Sequence, residues 1–86
     1  MPYINSESRN KYQTLRNVIE DMQEIETKGD LEYLVFLLML KYMKSREYRY
    51  STLHDCVYAV AHASDEFRRR FLDKREDEAC QKNGDI

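Results

Sequence analysis

Eight consecutive residues, Tyr33–Leu40, are apolar without a break, and this run limits what the rest of the chain can do. It lies within a longer apolar stretch, Leu31–Met43, interrupted only by Glu32 and Lys41. A membrane span needs about 20 such residues, so the stretch reads as a buried helix and no membrane partner is expected. With two glycines and one proline in 86 residues, there is little material for tight turns and much for helix. A helix that is apolar all round must be covered all round. A chain this short forms one domain and buries only about 60% of the surface it would expose unfolded. Two neighbouring helices cannot enclose a third, so the uncovered part is expected to lie against another copy of the chain. The residues assigned to that interface are Tyr33, Phe36, Leu37, Leu38 and Leu40.

The elements on either side are set by spacing and end signals. Residues 1–5 read as a short extended N-terminal arm, with Asn5 or Ser6 suited to cap the first helix. Helix 1, expected over 6–27, carries Tyr12, Leu15, Val18, Ile19, Met22 and Ile25 at steps of three and four, which makes one apolar stripe. Gly29 stands where a left-handed C-cap residue belongs. Asp30 is the expected cap of helix 2, placed over 30–44. Ser51 or Thr52 would cap a long helix 3, expected over 51–82, with Leu53, Cys56, Val57, Val60, Ser64, Phe67 and Phe71 on its buried face. Past Leu72 the apolar stripe stops, and a solvated, charge-alternating tail leads to a stop at Asn83–Gly84. The expected fold is therefore all-α: three helices in a single domain, 1–86, with an apolar central helix and a long third one.

Charge is distributed in blocks. Residues 1–32 hold four Lys/Arg against seven Asp/Glu, residues 33–75 hold nine against five, and the last eleven hold one against four. An acidic–basic–acidic order favours pairing between parts of the chain or between copies. It argues against nucleic acid, which calls for a broadly basic surface. Cys56 and Cys80 lie 24 positions apart on one expected helix, about 36 Å of rise, so they cannot bridge within a chain. That usage, with a polar start that resembles no signal peptide, places the protein in a reducing cytoplasm.

Candidates for chemistry are few. His54, Tyr58, His62, Glu66 and Arg69 share one face of helix 3. His62 with Asp65 or Glu66 offers two metal ligands, short of the three or four a site needs. No metal or other cofactor is expected. His54 and Cys56 are two residues apart and point to different sides of a helix. There is no nucleophile elbow, no Cys-x-x-Cys and no glycine-rich phosphate loop, so no catalytic residue is assigned and the protein is read as no enzyme. Arginine with nearby tyrosine suits a nucleotide-like anion, the guanidinium for phosphate and the ring for a base. On that ground Arg49, Tyr50, Tyr58, His62 and Arg69 form the candidate ligand-binding set. A competing class is a small DNA-binding regulator using Arg68, Arg70, Lys74 and Arg75, although helix 3 opens with apolar residues and histidines where a recognition helix would present Arg, Asn or Gln. An enzyme of unknown substrate stands third.

Three segments in order, Met1-Pro2-Tyr3-Ile4, Lys28-Gly29-Asp30-Leu31-Glu32-Tyr33, and Glu66-Phe67-Arg68-Arg69-Arg70 through to Asn83-Gly84-Asp85-Ile86, resemble a family of small proteins encoded mainly by phages and phage-like elements. The resemblance covers nearly the whole chain and brings no catalytic residues with it. It implies a phage accessory protein acting by binding, on a host protein or a nucleotide-like signal, in the cytoplasm of an infected bacterial cell.

Overall fold

The computed structural model describes residues 2–86. Among these residues the chain is all-α, with no strand. The helices are α1 (Ser6–Asn10), α2 (Gln13–Asp21), α3 (Lys28–Lys44), α4 (Tyr50–Phe67) and α5 (Asp73–Asn83). A five-residue π turn, Arg68–Leu72, joins α4 to α5. Of the expected arm, Met1 lies outside the described residues. Pro2–Asn5 is not helical, and the Asn5 Oδ1 accepts a hydrogen bond from the Ser8 amide at 2.8 Å, capping α1.

The single helix expected over 6–27 is two helices and an irregular segment. At Lys11 and Tyr12 the backbone tightens, with amides bonding three residues back to Ser8 and Arg9. The second break comes after Asp21, where Met22 turns to an extended conformation (φ −69°, ψ 160°). From Asn17 to Thr27 there are four acidic residues and no basic one. Negative charge at a helix C-terminus opposes the helix dipole, so this segment is a poor place to continue. Ile25 therefore falls outside the helix.

Helix α3 starts earlier than expected, and its cap is Thr27 rather than Asp30. The Thr27 hydroxyl accepts the Asp30 amide at 3.0 Å, while the Asp30 carboxylate accepts the Thr27 amide at 3.3 Å. This reciprocal box satisfies two otherwise orphaned donors. Gly29 is thus in the first turn of α3 and is no C-cap. Helix α4 is likewise capped earlier than expected, at Arg49, with Thr52 in its first turn accepting the Arg49 amide at 3.4 Å. The helical path then runs on through the π turn to Asn83. There Gly84, at φ 87°, takes a positive-φ conformation that ends it.

The core is thin. Helices α3 and α4 pack against each other around Cys56, which at 5% exposure is the one buried residue among those described. Its thiol lies 3.8 Å from the Met39 carbonyl. Leu34, Val35, Met39, Tyr42 and Met43 on α3 and Leu53, Val60 and Ala61 on α4 are half-buried. The buried face expected of the third helix ends there. Val57, Phe67 and Phe71 are exposed, because no helix among the described residues covers them. Phe67 and Phe71 pack on each other instead, ring centres 4.8 Å apart.

The molecule is correspondingly open. Its radius of gyration is 16.6 Å, where a compact chain of this length has about 12 Å. Its accessible surface is 8331 Å², against about 5,400 Å² for a typical monomer of 10.4 kDa. Part of the excess is the charged helix α5, which suits water. Exposed apolar side chains on α2 and α3 contribute as well.

Candidate functional site

Two groups of side chains stand out, both built on the α4–π–α5 helix. The first is a ladder along α4. Tyr50, His54, Tyr58 and His62 recur every four residues, so the helix stacks them on one face. Successive ring centres are 5.6, 4.2 and 6.0 Å apart. All four residues are exposed. Three of the five residues assigned to a ligand site are rungs of this ladder, and His54 is the rung that assignment omits. The signal for it, a fourth ring at the same spacing, is present in the sequence.

The remaining two do not join them. Arg49 and Arg69 stand at opposite ends of the helix, 20 positions or about 30 Å apart. Arg49 lies 3.5 Å from Glu47, and Arg69 is engaged with Glu66. Within one chain the five residues therefore form no common pocket for a small molecule. A ladder about 18 Å long suits an extended partner such as a helix better than a compact ligand.

The second group fastens the N-terminal arm to the π turn. The Tyr3 hydroxyl donates to Glu66 Oε1 at 2.7 Å, and Arg70 Nη1 donates to the Tyr3 oxygen at 3.3 Å. Arg69 grips the same carboxylate through Nε at 3.2 Å and Nη2 at 2.5 Å. The Glu66 side chain is 15% exposed, while that of Arg69 is 69% exposed. These donors favour the ionised carboxylate, so the Arg69 guanidinium, with Tyr3 and then Arg70, holds the Glu66 pKa down to about 2. The Arg69 pKa is raised in return. In the π turn the Asp73 amide donates to the Arg68 carbonyl, five residues back. Successive residues of a π turn are rotated less than in an α-helix, so Arg69 and Arg70 lie on one side, Arg69 on Glu66 and Arg70 on Tyr3. Such turns recur at functional sites. Helical spacing puts Glu66 and Arg69 on one face but gives no hint of Tyr3, since a partner 63 residues away leaves no mark in local spacing.

Of the residues proposed for DNA contact, Arg70 is turned onto Tyr3, and the others are spread along the π turn and α5. The described residues include no group of three or more His, Cys, Asp or Glu arranged to hold a metal ion. Cys56 and Cys80 are free thiols. No helix among the described residues is long and apolar enough to cross a membrane.

The interface residues assigned to α3 are all exposed, Tyr33 at 62% and Leu38 at 60%. They fall into two stripes. Tyr33, Phe36, Leu37 and Leu40 form one, and Leu38 lies with Leu31 and Leu34 on another. An open apolar hollow of about 630 Å³ at the α3–α4 end is lined by Leu37, Leu40, Met43, Tyr48 and Leu53, with Lys41, Lys44 and Arg46 at its edge. The Arg46 guanidinium lies over the Tyr42 ring, 3.7 Å from its centre.

No curated protein and no solved structure matches the chain. A family model described as a domain of unknown function, DUF6899, matches residues 1–86, and the chain belongs to that family.

Proposed function

We propose that this protein works without catalysis, by binding, and that its working form is a homo-oligomer with α3 in the interface. The observation that carries the reading is the apolar surface that one chain leaves uncovered. A standard protein interface hides about 800 Å² per partner. The surface in excess of a typical monomer, polar and apolar together, is about 2,900 Å² per chain. Even with α5 left in water, that calls for an extensive obligate dimer or for contacts with more than one copy. Closed symmetry is the usual solution.

The partner beyond itself is a host protein or an anionic, nucleotide-like molecule, and the setting is that of a phage accessory protein in an infected bacterial cell. The exposed Tyr–His ladder supports the first kind of partner more than the second, because its length suits a helix. Arginine and tyrosine contributed by two copies would still complete a site that one copy lacks.

Native mass spectrometry of freshly purified protein tests the reading. A mass that is a whole multiple of 10.4 kDa is expected, and a multiple with a few hundred daltons added would mark a retained ligand. Leu37→Glu, which places a charge in the α3 stripe, is expected to return the mass to one chain, since an unpaired charge is costly to bury. A wild-type monomer would overturn the proposal.

A further inference from the structure

We infer that the occupant of the Tyr33–Leu40 stripe is helix α2 of a second copy, docked parallel to α3. This rests on the self-association proposed above and names the segment that achieves it. Helix α2 is a surface helix with nothing to cover it. Tyr12, Leu15, Val18, Ile19 and Met22 lie on one side, polar residues on the other, and the apolar side is exposed throughout. An amphipathic helix whose apolar stripe faces water is an element missing its neighbour. The chain thus carries two uncovered apolar stripes, one donating and one accepting, and each copy can supply both.

The two stripes share a spacing. Tyr12, Leu15, Ile19 and Met22 advance by three, four and three, and Tyr33, Phe36, Leu40 and Met43 do the same, offset by 21. Laid side by side in one direction, they place Tyr12 by Tyr33, Leu15 by Phe36 and Ile19 by Leu40. Charge selects that direction. The end of α2 and the segment after it hold Glu20, Asp21, Glu24 and Glu26 with no basic residue, while the last turn of α3 holds Lys41 and Lys44 with no acidic one, and Arg46 follows just beyond it. Parallel docking brings these ends together, and antiparallel docking separates them.

Connectivity then assigns the contact to a second copy. Parallel packing within one chain, in the same register, would send the connection from Asp21, beside Tyr42, back along α3 to Lys28. That is about 21 Å of rise and about 9 Å sideways, about 23 Å in all. Seven residues fully stretched reach about 25 Å, which leaves too little slack for the turns at either end. Exchange of α2 between copies removes that constraint and hides apolar surface on both sides, reciprocally, as a two-fold or cyclic assembly requires.

Cysteine pairing in trans tests this. One chain carries Ile19→Cys and a second, labelled with heavy nitrogen, carries Leu40→Cys. Both carry Cys80→Ser, and the buried Cys56 is kept. Mixed, refolded together and mildly oxidised, they are expected to give the Ile19–Leu40 heterodimer as the main product. The pair Ile19→Cys with Tyr33→Cys, two turns away, is expected to link far less. Since a cysteine in the stripe could weaken assembly, a photoreactive benzoylphenylalanine at Tyr12 gives a second readout, with its adduct expected on the Tyr33 peptide of the other copy. An oligomer of native mass that links only Leu40 to Leu40, or pairs Ile19 with Tyr33, overturns the α2 assignment and leaves self-association standing. A protein that is monomeric before any substitution overturns both.

Discussion

Glu66 shows how much one carboxylate can organise when its neighbours are cationic. Tyr3, Arg69 and Arg70 meet around it, and they hold its pKa down to about 2. A carboxyl whose folded pKa is depressed contributes to stability above its ordinary value, and that contribution is lost as pH falls towards the folded one. The arm is therefore expected to stay fastened through mild acid and to release only as pH drops from the ordinary carboxylate range towards 2. A side-chain NMR titration of Glu66 checks this directly. Tyr3→Phe removes one donor and is expected to move the midpoint up, and Arg69→Gln to move it up further, because the Arg69 bonds are the larger cause. A Glu66 midpoint in the ordinary range in the native protein would dissolve the latch. The Tyr3 contact is invisible in the sequence, whereas the 66–69 pair is legible as neighbours one turn apart on a helix.

At the scale of elements, local chemistry decides the boundaries. The Thr27–Asp30 box starts α3 on exposed ground, so its strength is testable without disturbing the core. Thr27→Ala is expected to cost about 1 kcal/mol, the usual penalty for losing such a cap, measured by denaturant unfolding at fixed protein concentration. Asp30→Asn, which keeps an acceptor, is expected to cost less. The long apolar run, the end of α3 at Lys44 and the stop at Gly84 are readable from residue type. The break after Asp21 is less so, although the acidic cluster that causes it is plain in the composition of residues 17–27. The π turn has no sequence signal, since Arg68–Leu72 is a good α-helical segment by propensity. It forms where Glu66 and the arm draw two arginines to one side. On the third helix the apolar stripe does bury Leu53, Cys56 and Val60 at least in part. It fails at Phe67 and Phe71, because spacing identifies a face without saying whether anything covers it.

For the whole molecule, the radius of gyration and the single buried residue among those described mark a chain that completes little of its own core. If assembly supplies the rest, stability belongs to the assembly and depends on concentration by mass action. A tenfold dilution is then expected to lower the melting temperature by about 4 °C for a dimer, read by calorimetry or circular dichroism over a concentration series. A melting temperature indifferent to concentration would mean that the open chain stands alone. Because its two halves are so far apart in sequence, the Tyr3 latch also sets an order of events during synthesis. A ribosome adds about 5–20 residues each second, so Glu66 is made some 3–13 s after Tyr3. Throughout that interval the arm has nothing to hold. The chain therefore closes on itself only after Glu66 has been made, and its birth offers a brief window in which a freshly made arm and helix α2 are at the disposal of whichever copy is nearest.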